Sequence, residues 1–296
     1  MRYVKDSKVS IGTAQFGEKY GIMNQSGKTQ ISEVSRILDL ARKNKINMID
    51  TAASYGDSEI ILGKLNISDF NVGTKLPSLK NSINNLFSQI KHTISSSLDR
   101  LKISKLEYVL IHDENDLIRM KNERLIDALL NIKDLGLTKK IGISIYTPSI
   151  LDNTNRLSDI DIFQSSLNIF DQRMLDNHWV KIFKKNDIEF HARSIFLQGL
   201  LLNNWKKIPK YFEPWKVNFN MWHDYANESG RSKLSSILGW INGIDSVNRF
   251  VIGVETYNQL NDILNAQKQS FDFQCDHNMN KFSLSDKRLI NPSNWK

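Results

Sequence analysis

Four residues have the types and the order along the chain that carbonyl chemistry needs: Asp50, Tyr55, Lys75 and His112. A tyrosine hydroxyl, whose pKa is normally about 10, becomes a usable proton donor when a lysine ammonium lies beside it. A buried Asp50 would keep Lys75 charged and oriented, and a neutral His112 could polarise a carbonyl oxygen. The hydride for a reduction must come from a cofactor, because no side chain supplies one. The four residue types therefore predict cofactor-dependent reduction of a carbonyl group.

These side chains can cooperate only if the fold brings them together. Asp50, Lys75 and His112 each end a short apolar run, and Tyr55 lies in the loop that follows Asp50. The next two apolar runs also end on polar residues, Ser144 and Gln164. The carboxyl ends of parallel strands in a β/α barrel converge on one face, where such residues meet. Taken singly, each residue also has an ordinary role as an alternative: a helix cap, a surface tyrosine, a strand-end lysine or an ion-paired loop histidine.

Short apolar runs alternate with longer amphipathic stretches along the whole chain. The predicted strands are 8–13, 46–50, 71–75, 108–112, 140–144, 160–164, 188–193 and 249–253, and the predicted helices are 31–44, 58–65, 80–101, 119–136, a short one from 148, 174–185, 233–243 and 257–267. Eight strand-then-helix units predict a closed parallel (β/α)8 or TIM barrel. We predict one domain over residues 1–296, with an aromatic-rich insertion at about 200–230 after strand seven and a C-terminal tail at about 268–296.

Composition restricts the compartment and the partners. The chain of 296 residues is 40% hydrophobic and 24% charged, as globular proteins are. Its apolar runs are far shorter than the roughly 20 residues of a membrane span, and the N-terminus lacks a secretory signal. A single cysteine, Cys275, excludes an internal disulfide and predicts a reducing, cytoplasmic setting. The net charge of +8 favours a phosphate-bearing small molecule, because we find no nucleic-acid-binding signature and no metal-ligand spacing.

The segments around the four residues resemble the aldo-keto reductases, whose pattern is Asp, Tyr, Lys and His at these strand ends. The resembling runs are Asp-Thr-Ala at 50–52, Tyr-Gly-Asp-Ser-Glu at 55–59, Gly-Thr-Lys at 73–75 and Val-Leu-Ile-His at 109–112, and the resemblance spans about 11–266. It implies an NAD(P)H-dependent reductase that converts an aldehyde or ketone to an alcohol. Tyr55 would be the general acid, Lys75 would lower its pKa, Asp50 would orient Lys75, and His112 would position the substrate.

The same resemblance implies a site for NADPH or NADH along the strand ends. The implied cofactor-binding residues are Thr13, Asp50, Ser144, Gln164, Arg193, Ser194, Phe196, Gly199, Gly253, Glu255 and Gln259. Ser144 and Gln164 would hold the nicotinamide carboxamide, although Ile145 stands where the family often has an asparagine. Tyr55, His112 and Asn168 would contact the substrate, with a loop cap as the alternative role for Asn168.

Two of these positions depart from the family's pattern. Arg193 stands where many relatives have a tyrosine, and a planar cation can still stack there. Glu255 has the wrong sign for the 2'-phosphate of NADPH, whose usual partner is arginine or lysine, and suits the free ribose 2'-hydroxyl of NADH. The choice between the two cofactors stays open.

The insertion and two short runs bear on the substrate. Residues 203–229 contain seven aromatic residues, which either form a lid over the substrate or pack the insertion onto the barrel. Runs 170–173 and 193–202 resemble relatives from bacterial surface-sugar pathways, so a sugar or nucleotide-sugar carbonyl is one candidate substrate. Two other functions compete with reduction: a nicotinamide-dependent epimerase or isomerase without net cofactor turnover, and a non-enzymatic cofactor-sensing subunit. A sensor has no need of a proton donor, which argues against the last.

Overall fold

The computed structural model describes residues 7–79, 85–154, 156–270 and 277–295. Within this part of the chain, eight parallel strands close into a barrel in sequence order. The strands are β1 (Val9–Gly12), β2 (Met48–Asp50), β3 (Asn71–Leu76), β4 (Leu106–Ile111), β5 (Thr138–Ile145), β6 (Ile162–Ser166), β7 (Glu189–Arg193) and β8 (Arg249–Gly253). Because β1 pairs with both β2 and β8, the sheet has no open edge, and the predicted TIM barrel is confirmed.

Helices follow the strands and cover the outside of the barrel. The α-helices are α1 (Ala14–Gly17), α2 (Ile31–Lys43), α3 (Ser58–Lys64), α4 (Leu86–Leu101), α5 (Asn115–Arg119), α6 (Asn122–Asp134), α7 (Asn177–Lys185), α8 (Lys216–Glu228), α9 (Lys233–Asn242), α10 (Tyr257–Ser270) and α11 (Lys287–Ile290). The helix predicted over 119–136 is divided, because Lys121 has a positive φ of 55° between α5 and α6. The start predicted for α4, at 80–84, lies outside the described residues.

The connections after β5, β6 and β7 and the C-terminal tail contain shorter, tighter helices. The 3₁₀ helices are Pro148–Asn153, Leu157–Asp159, Arg173–Leu175, Leu197–Leu202, Trp205–Lys207, Lys210–Trp215, His277–Phe282 and Pro292–Asn294. The short helix predicted from Pro148 is therefore a 3₁₀ helix. A first-turn proline suits it, since its missing N–H would have no partner within the helix.

The aromatic insertion packs onto the barrel together with the described part of the tail. The rings of Phe212 and Trp295 lie 5.0 Å apart, and Trp222 meets Phe282 at 5.6 Å. Phe219 contacts Phe170, a buried residue after β6, at 5.0 Å. None of these rings lines the large cleft described below. The insertion therefore packs onto the barrel, as one of the two alternatives held, and its rings do not form a lid over the cleft. Residues 271–276, with Cys275, and residue 296 lie outside the described part.

A polar cluster on β5 and β7 joins the buried His191 to the partly exposed Glu189 and Lys140. His191 on β7 pairs through Nε2 with Glu189 at 3.0 Å, and Glu189 accepts a hydrogen bond from Lys140 at 2.5 Å. Burial lowers the pKa of His191 below its ordinary value of 6.5, despite the opposing pull of Glu189. The hydrogen bond from His191 lowers the pKa of Glu189 to about 2. The folded protein therefore holds His191 neutral and Glu189 ionised at neutral pH.

This cluster predicts an acid-sensitive fold. Below about pH 6.5 the unfolded chain protonates His191 and the folded chain does not, so the free energy of unfolding falls as pH decreases. One such proton gives a slope of about 1.4 kcal/mol per pH unit. We expect His191→Gln to reduce the slope of unfolding free energy against pH between 6.5 and 4.5 by about this amount, with the contribution of His112 remaining, as measured by urea denaturation. Exposed His178→Gln should keep the parent slope. If His191→Gln has the same slope as the parent protein, His191 is not the source of the acid sensitivity.

Candidate active site

The four predicted catalytic residues meet at one face of the barrel. Asp50 ends β2, Lys75 lies near the end of β3, His112 directly follows β4, and Tyr55 lies on the loop between β2 and α3. All four line a single cleft with a volume of about 560 Å³. The convergence follows from the barrel, since parallel strands present all their carboxyl ends to the same side.

The centre of this arrangement is a buried ion pair between Lys75 and Asp50. The Lys75 ammonium donates to Asp50 Oδ1 and, at 3.0 Å, to the carbonyl of Thr51. Asp50 Oδ2 accepts from the Tyr108 hydroxyl at 2.6 Å and from Gln164 Nε2 at 2.7 Å. Burial alone raises the pKa of Asp50, but Lys75 and these hydrogen bonds outweigh it and hold the pKa below its ordinary value. Asp50 is therefore a fixed carboxylate, and it fixes Lys75 in turn.

Tyr108 is a part of the site that the sequence did not reveal. It lies within β4 and is fully buried, and its ring faces β3 at Gly73. A Cβ atom at that glycine would lie 2.0 Å from the Tyr108 ring, so only glycine leaves room for it. The glycine of the Gly-Thr-Lys run thus makes space for the phenol that anchors Asp50.

Tyr55 stands beside the ion pair without touching Asp50. The Lys75 ammonium lies 5.2 Å from the Tyr55 ring centre, and the His112 ring meets the Tyr55 ring edge-on at 5.7 Å. Burial raises the pKa of the Tyr55 hydroxyl, and the Asp50 carboxylate raises it further. The guanidinium of Arg193 opposes this rise, and the lowering expected from Lys75 stays a prediction. Tyr55 therefore keeps its proton at neutral pH.

The loop that carries Tyr55 is anchored by the residues that follow it. Gly56 has a positive φ of 49°, and a Cβ there would lie 2.6 Å from the carbonyl oxygen of Gly17. The Ser58 hydroxyl donates to the Thr13 carbonyl at 3.0 Å. Glu59 is buried and accepts from Arg100 at 2.6 Å, which ties α3 to α4. The Gly-Asp-Ser-Glu run is thus scaffolding that sets the position of the phenol.

His112 is a neutral imidazole in this site. Burial lowers its pKa to about 3, and the nearby cations Lys75 and Arg193 lower it as well. The hydroxyl of Ser54 lies 3.2 Å from His112 Nδ1. Ser54 was not predicted, because nothing in the loop sequence distinguishes it from a solvent-exposed serine. A neutral imidazole can donate one hydrogen bond to a carbonyl oxygen without competing for the proton of Tyr55.

Every predicted cofactor-binding residue lines the same cleft. These residues are Thr13, Asp50, Ser144, Gln164, Arg193, Ser194, Phe196, Gly199, Gly253, Glu255 and Gln259. They come from β2, β5, β6, β7 and β8, from the segments that follow β1, β7 and β8, and from α10. The cleft therefore extends from the four catalytic residues across to the N-terminal half of α10.

Two features of the cleft fit a nicotinamide dinucleotide. Gln164 gives its amide N–H to Asp50, while its Oε1 is buried and has no hydrogen-bond partner among the described residues. A buried acceptor of this kind suits the N–H of a carboxamide, and Ser144 pairs with Gln164 in the sheet register. Gly199 has a positive φ of 89°, and a Cβ there would crowd Met23 at 3.0 Å. Because glycine has no side chain, the backbone of the loop after β7 can contact a ligand directly.

Arg193 builds a planar wall of the cleft together with Tyr146. Its guanidinium donates to Ser166 and to the carbonyl of Ile145, each at 3.0 Å, and lies 3.9 Å from the Tyr146 ring centre. Arg173 holds the Tyr146 carbonyl at 2.9 Å. Tyr146 lines the cleft and was not predicted, although its place beside the unusual Ile145 was a signal that this strand end differs from the family's pattern.

Asn168 lies outside the cleft lining. It is fully buried, and its Oδ1 accepts from the backbone N–H groups of Phe170 at 3.0 Å and Asp171 at 3.1 Å. Its amide donates to the Ser194 carbonyl at 3.3 Å. Asn168 therefore caps its own loop, which was the alternative role named for it. The structure places it outside the cleft in which the substrate contact was expected.

Two loops meet above the cleft. The backbone N–H of Ile22, after β1, donates to Gln198 Oε1 at 2.8 Å, and Gln198 adopts a positive φ of 51° after β7. Tyr20 and Met23 line the cleft beside this contact. Across the described ranges we find no cluster of histidine, cysteine and carboxylate groups that could hold a metal, and no helix long and apolar enough to cross a bilayer.

Comparisons with known proteins agree with the geometry. The sequence model of the aldo/keto reductase family matches residues 8–277. The uncharacterized oxidoreductase YqkF of Bacillus subtilis (strain 168) is 25% identical over 206 residues, and this match spans 66% of the present chain and 66% of that relative. A glycerol dehydrogenase structure from Gluconobacter oxydans has a TM-score of 0.69 at 21% identity, over 93% of this chain and 89% of that one. A structure assigned to the aldo-keto reductases from Pseudomonas aeruginosa gives 0.66 at 20%, over 91% and 92%.

Proposed function

Because the chain belongs to the aldo/keto reductase family, we propose that it reduces an aldehyde or ketone to an alcohol, with a nicotinamide cofactor in the cleft and Tyr55 as proton donor. Members of this family act on small-molecule carbonyl compounds and generally use NADPH or NADH. The observation that carries the proposal is the meeting of Tyr55 and His112 beside the buried Asp50–Lys75 pair, at one end of a cleft fit for a dinucleotide.

The proton has a defined source in this mechanism. The bound cofactor supplies the hydride. Tyr55 holds its proton at neutral pH and gives it to the carbonyl oxygen as negative charge develops there. His112, which is neutral, donates a hydrogen bond to the same oxygen and orients the substrate. The phenolate left on Tyr55 is stabilised by Lys75 and Arg193, the two cations that line this part of the cleft.

The substrate in this proposal is a small carbonyl compound, and a sugar-derived carbonyl is one candidate from the sequence. The cleft walls near Tyr55 mix aromatic and polar groups, among them Tyr20, Tyr146, Ser54 and Glu18. Such a lining suits a polar molecule with several hydroxyl groups better than an alkyl aldehyde.

The reducing cytoplasm expected from the single cysteine stays a prediction.

Calorimetric titration of the purified protein with NADH and with NADPH tests the cofactor requirement. We expect saturable binding of one dinucleotide per chain, followed by cofactor oxidation when sugar aldehydes or aromatic aldehydes are added. Lack of binding by both dinucleotides would contradict the proposal. An isomerase would instead transform its substrate without net oxidation of the cofactor, so the loss of reduced cofactor with time separates the two activities.

A further inference from the structure

The end of the cleft away from Tyr55 is acidic. Its lining residues on the segment from β8 into α10 include Glu255, Gln259 and Asp262. Among the described residues that line the cleft, the lysine and arginine side chains are Lys75 and Arg193. Lys75 is committed to Asp50, and Arg193 to the strand ends at Ile145 and Ser166. A ligand group placed at the α10 end therefore meets two carboxylates.

The carboxylate of Glu255 is held in place by its neighbours. Gln259 Oε1 accepts the backbone N–H of Glu255 at 2.7 Å, and Gln259 Nε2 lies 3.4 Å from Glu255 Oε2. The backbone carbonyl of Glu255 accepts from the Thr29 hydroxyl at 3.3 Å. These contacts fix both the main chain and the side chain, so the negative charge stays at the cleft wall.

The first turn of α10 is already capped by a third carboxylate. Glu33, on α2, accepts the backbone N–H of Tyr257 at 2.6 Å. Free N–H groups at a helix N-terminus attract a phosphate, and here an acidic side chain takes one of them. Arg36 is a nearby cation, but it pairs with Glu33 at 2.6 Å and stacks 4.8 Å over the Tyr257 ring.

We infer that this chain selects NADH over NADPH, with Glu255 and Asp262 as the residues that determine the choice. The inference rests on the proposed function, which places the reactive ring beside Tyr55 and His112. The adenosine of the same dinucleotide then lies at the far, α10 end of the cleft. A carboxylate accepts a hydrogen bond from the free 2'-hydroxyl of the adenosine ribose, whereas it repels a 2'-phosphate. The acidic α10 end therefore favours the cofactor that lacks this phosphate.

The test is the ratio of the dissociation constants for NADPH and NADH, measured by calorimetry on the full chain. We expect NADPH to bind at least about tenfold more weakly, because its 2'-phosphate would lie beside like charges. In the double variant Glu255→Gln with Asp262→Asn, the ratio should fall towards one, mainly because NADPH binds more tightly. The control, Glu213→Gln with Asp224→Asn, removes the same charge from exposed sites outside the cleft lining and should keep the parent ratio.

Three results would overturn the inference. The first is equal or tighter binding of NADPH by the parent protein. The second is an unchanged ratio in the Glu255 and Asp262 double variant. The third is a selective loss of NADPH affinity in Arg36→Ala, which would show that Arg36 leaves Glu33 to bind the 2'-phosphate. Failure of both dinucleotides to bind would instead contradict the proposed function itself, so the two failures are distinguishable.

Discussion

Replacing Tyr55 by phenylalanine is expected to slow carbonyl reduction about 10²- to 10⁴-fold, the usual contribution of a positioned general acid. The substitution removes one hydroxyl and keeps the ring that lies beside Lys75 and His112. Because the Tyr55 hydroxyl makes no hydrogen bond to the Asp50–Lys75 pair, the ion pair should stay intact and cofactor affinity should change little. The measurement is the rate of cofactor oxidation under single-turnover conditions, together with a calorimetric dissociation constant.

Tyr211→Phe is the matched control for this variant. Its hydroxyl donates to the carbonyls of Arg288 and Asn294 at the surface, away from the cleft lining. It should leave the rate of reduction unchanged. If Tyr55→Phe reduces carbonyls as fast as this control does, Tyr55 is not the proton donor.

Removing the charge of Lys75 is expected to affect both stability and activity. In Lys75→Met, Asp50 remains as a buried carboxylate without its counter-ion, and both side chains are almost completely buried. Breaking such a pair by removing one partner typically costs about 3–5 kcal/mol of unfolding free energy. The rate of reduction should also fall, because the phenolate formed on Tyr55 loses its nearest ammonium. Urea denaturation and the single-turnover rate measure the two effects.

Two comparisons make this prediction specific. Lys139→Met breaks an exposed ion pair with Glu107, and such surface pairs contribute only about 0–1 kcal/mol. Combining Lys75→Met with Asp50→Asn removes the stranded charge, so part of the lost stability should return while activity stays low. If Lys75→Met costs no more stability than Lys139→Met, the buried pair does not have the role assigned to it.

The alternation of apolar runs with amphipathic stretches was enough to predict the barrel and the face on which Asp50, Lys75 and His112 meet. The prediction works because strand ends in a parallel barrel converge whatever the details of the loops. Local conformation was less predictable: the break at Lys121 depends on a positive φ that a lysine rarely adopts, and its sequence gives no glycine signal.

Contacts between side chains on different strands and helices could not be predicted from the periodicity of the sequence. Tyr108 resembles any buried strand residue until β3 and β2 bring Asp50 within 2.6 Å of its hydroxyl. The Glu33 cap on α10 joins residues more than 200 positions apart. The pKa of Tyr55 depends on tertiary contacts in the same way, since burial of the phenol and the neighbouring Asp50 carboxylate raise it while Arg193 opposes the rise.

The most direct test of the central claim follows the hydride itself. The purified protein is incubated with NADH deuterated at both C4 positions and with 4-nitrobenzaldehyde or D-glyceraldehyde, and the alcohol is analysed by mass spectrometry. We predict one deuterium on the former carbonyl carbon for each cofactor oxidised, with formation of the labelled alcohol strongly reduced in Tyr55→Phe. Alcohol that carries no deuterium, or labelled alcohol formed equally fast by Tyr55→Phe, would contradict a reductase in which the cofactor gives the hydride and Tyr55 gives the proton.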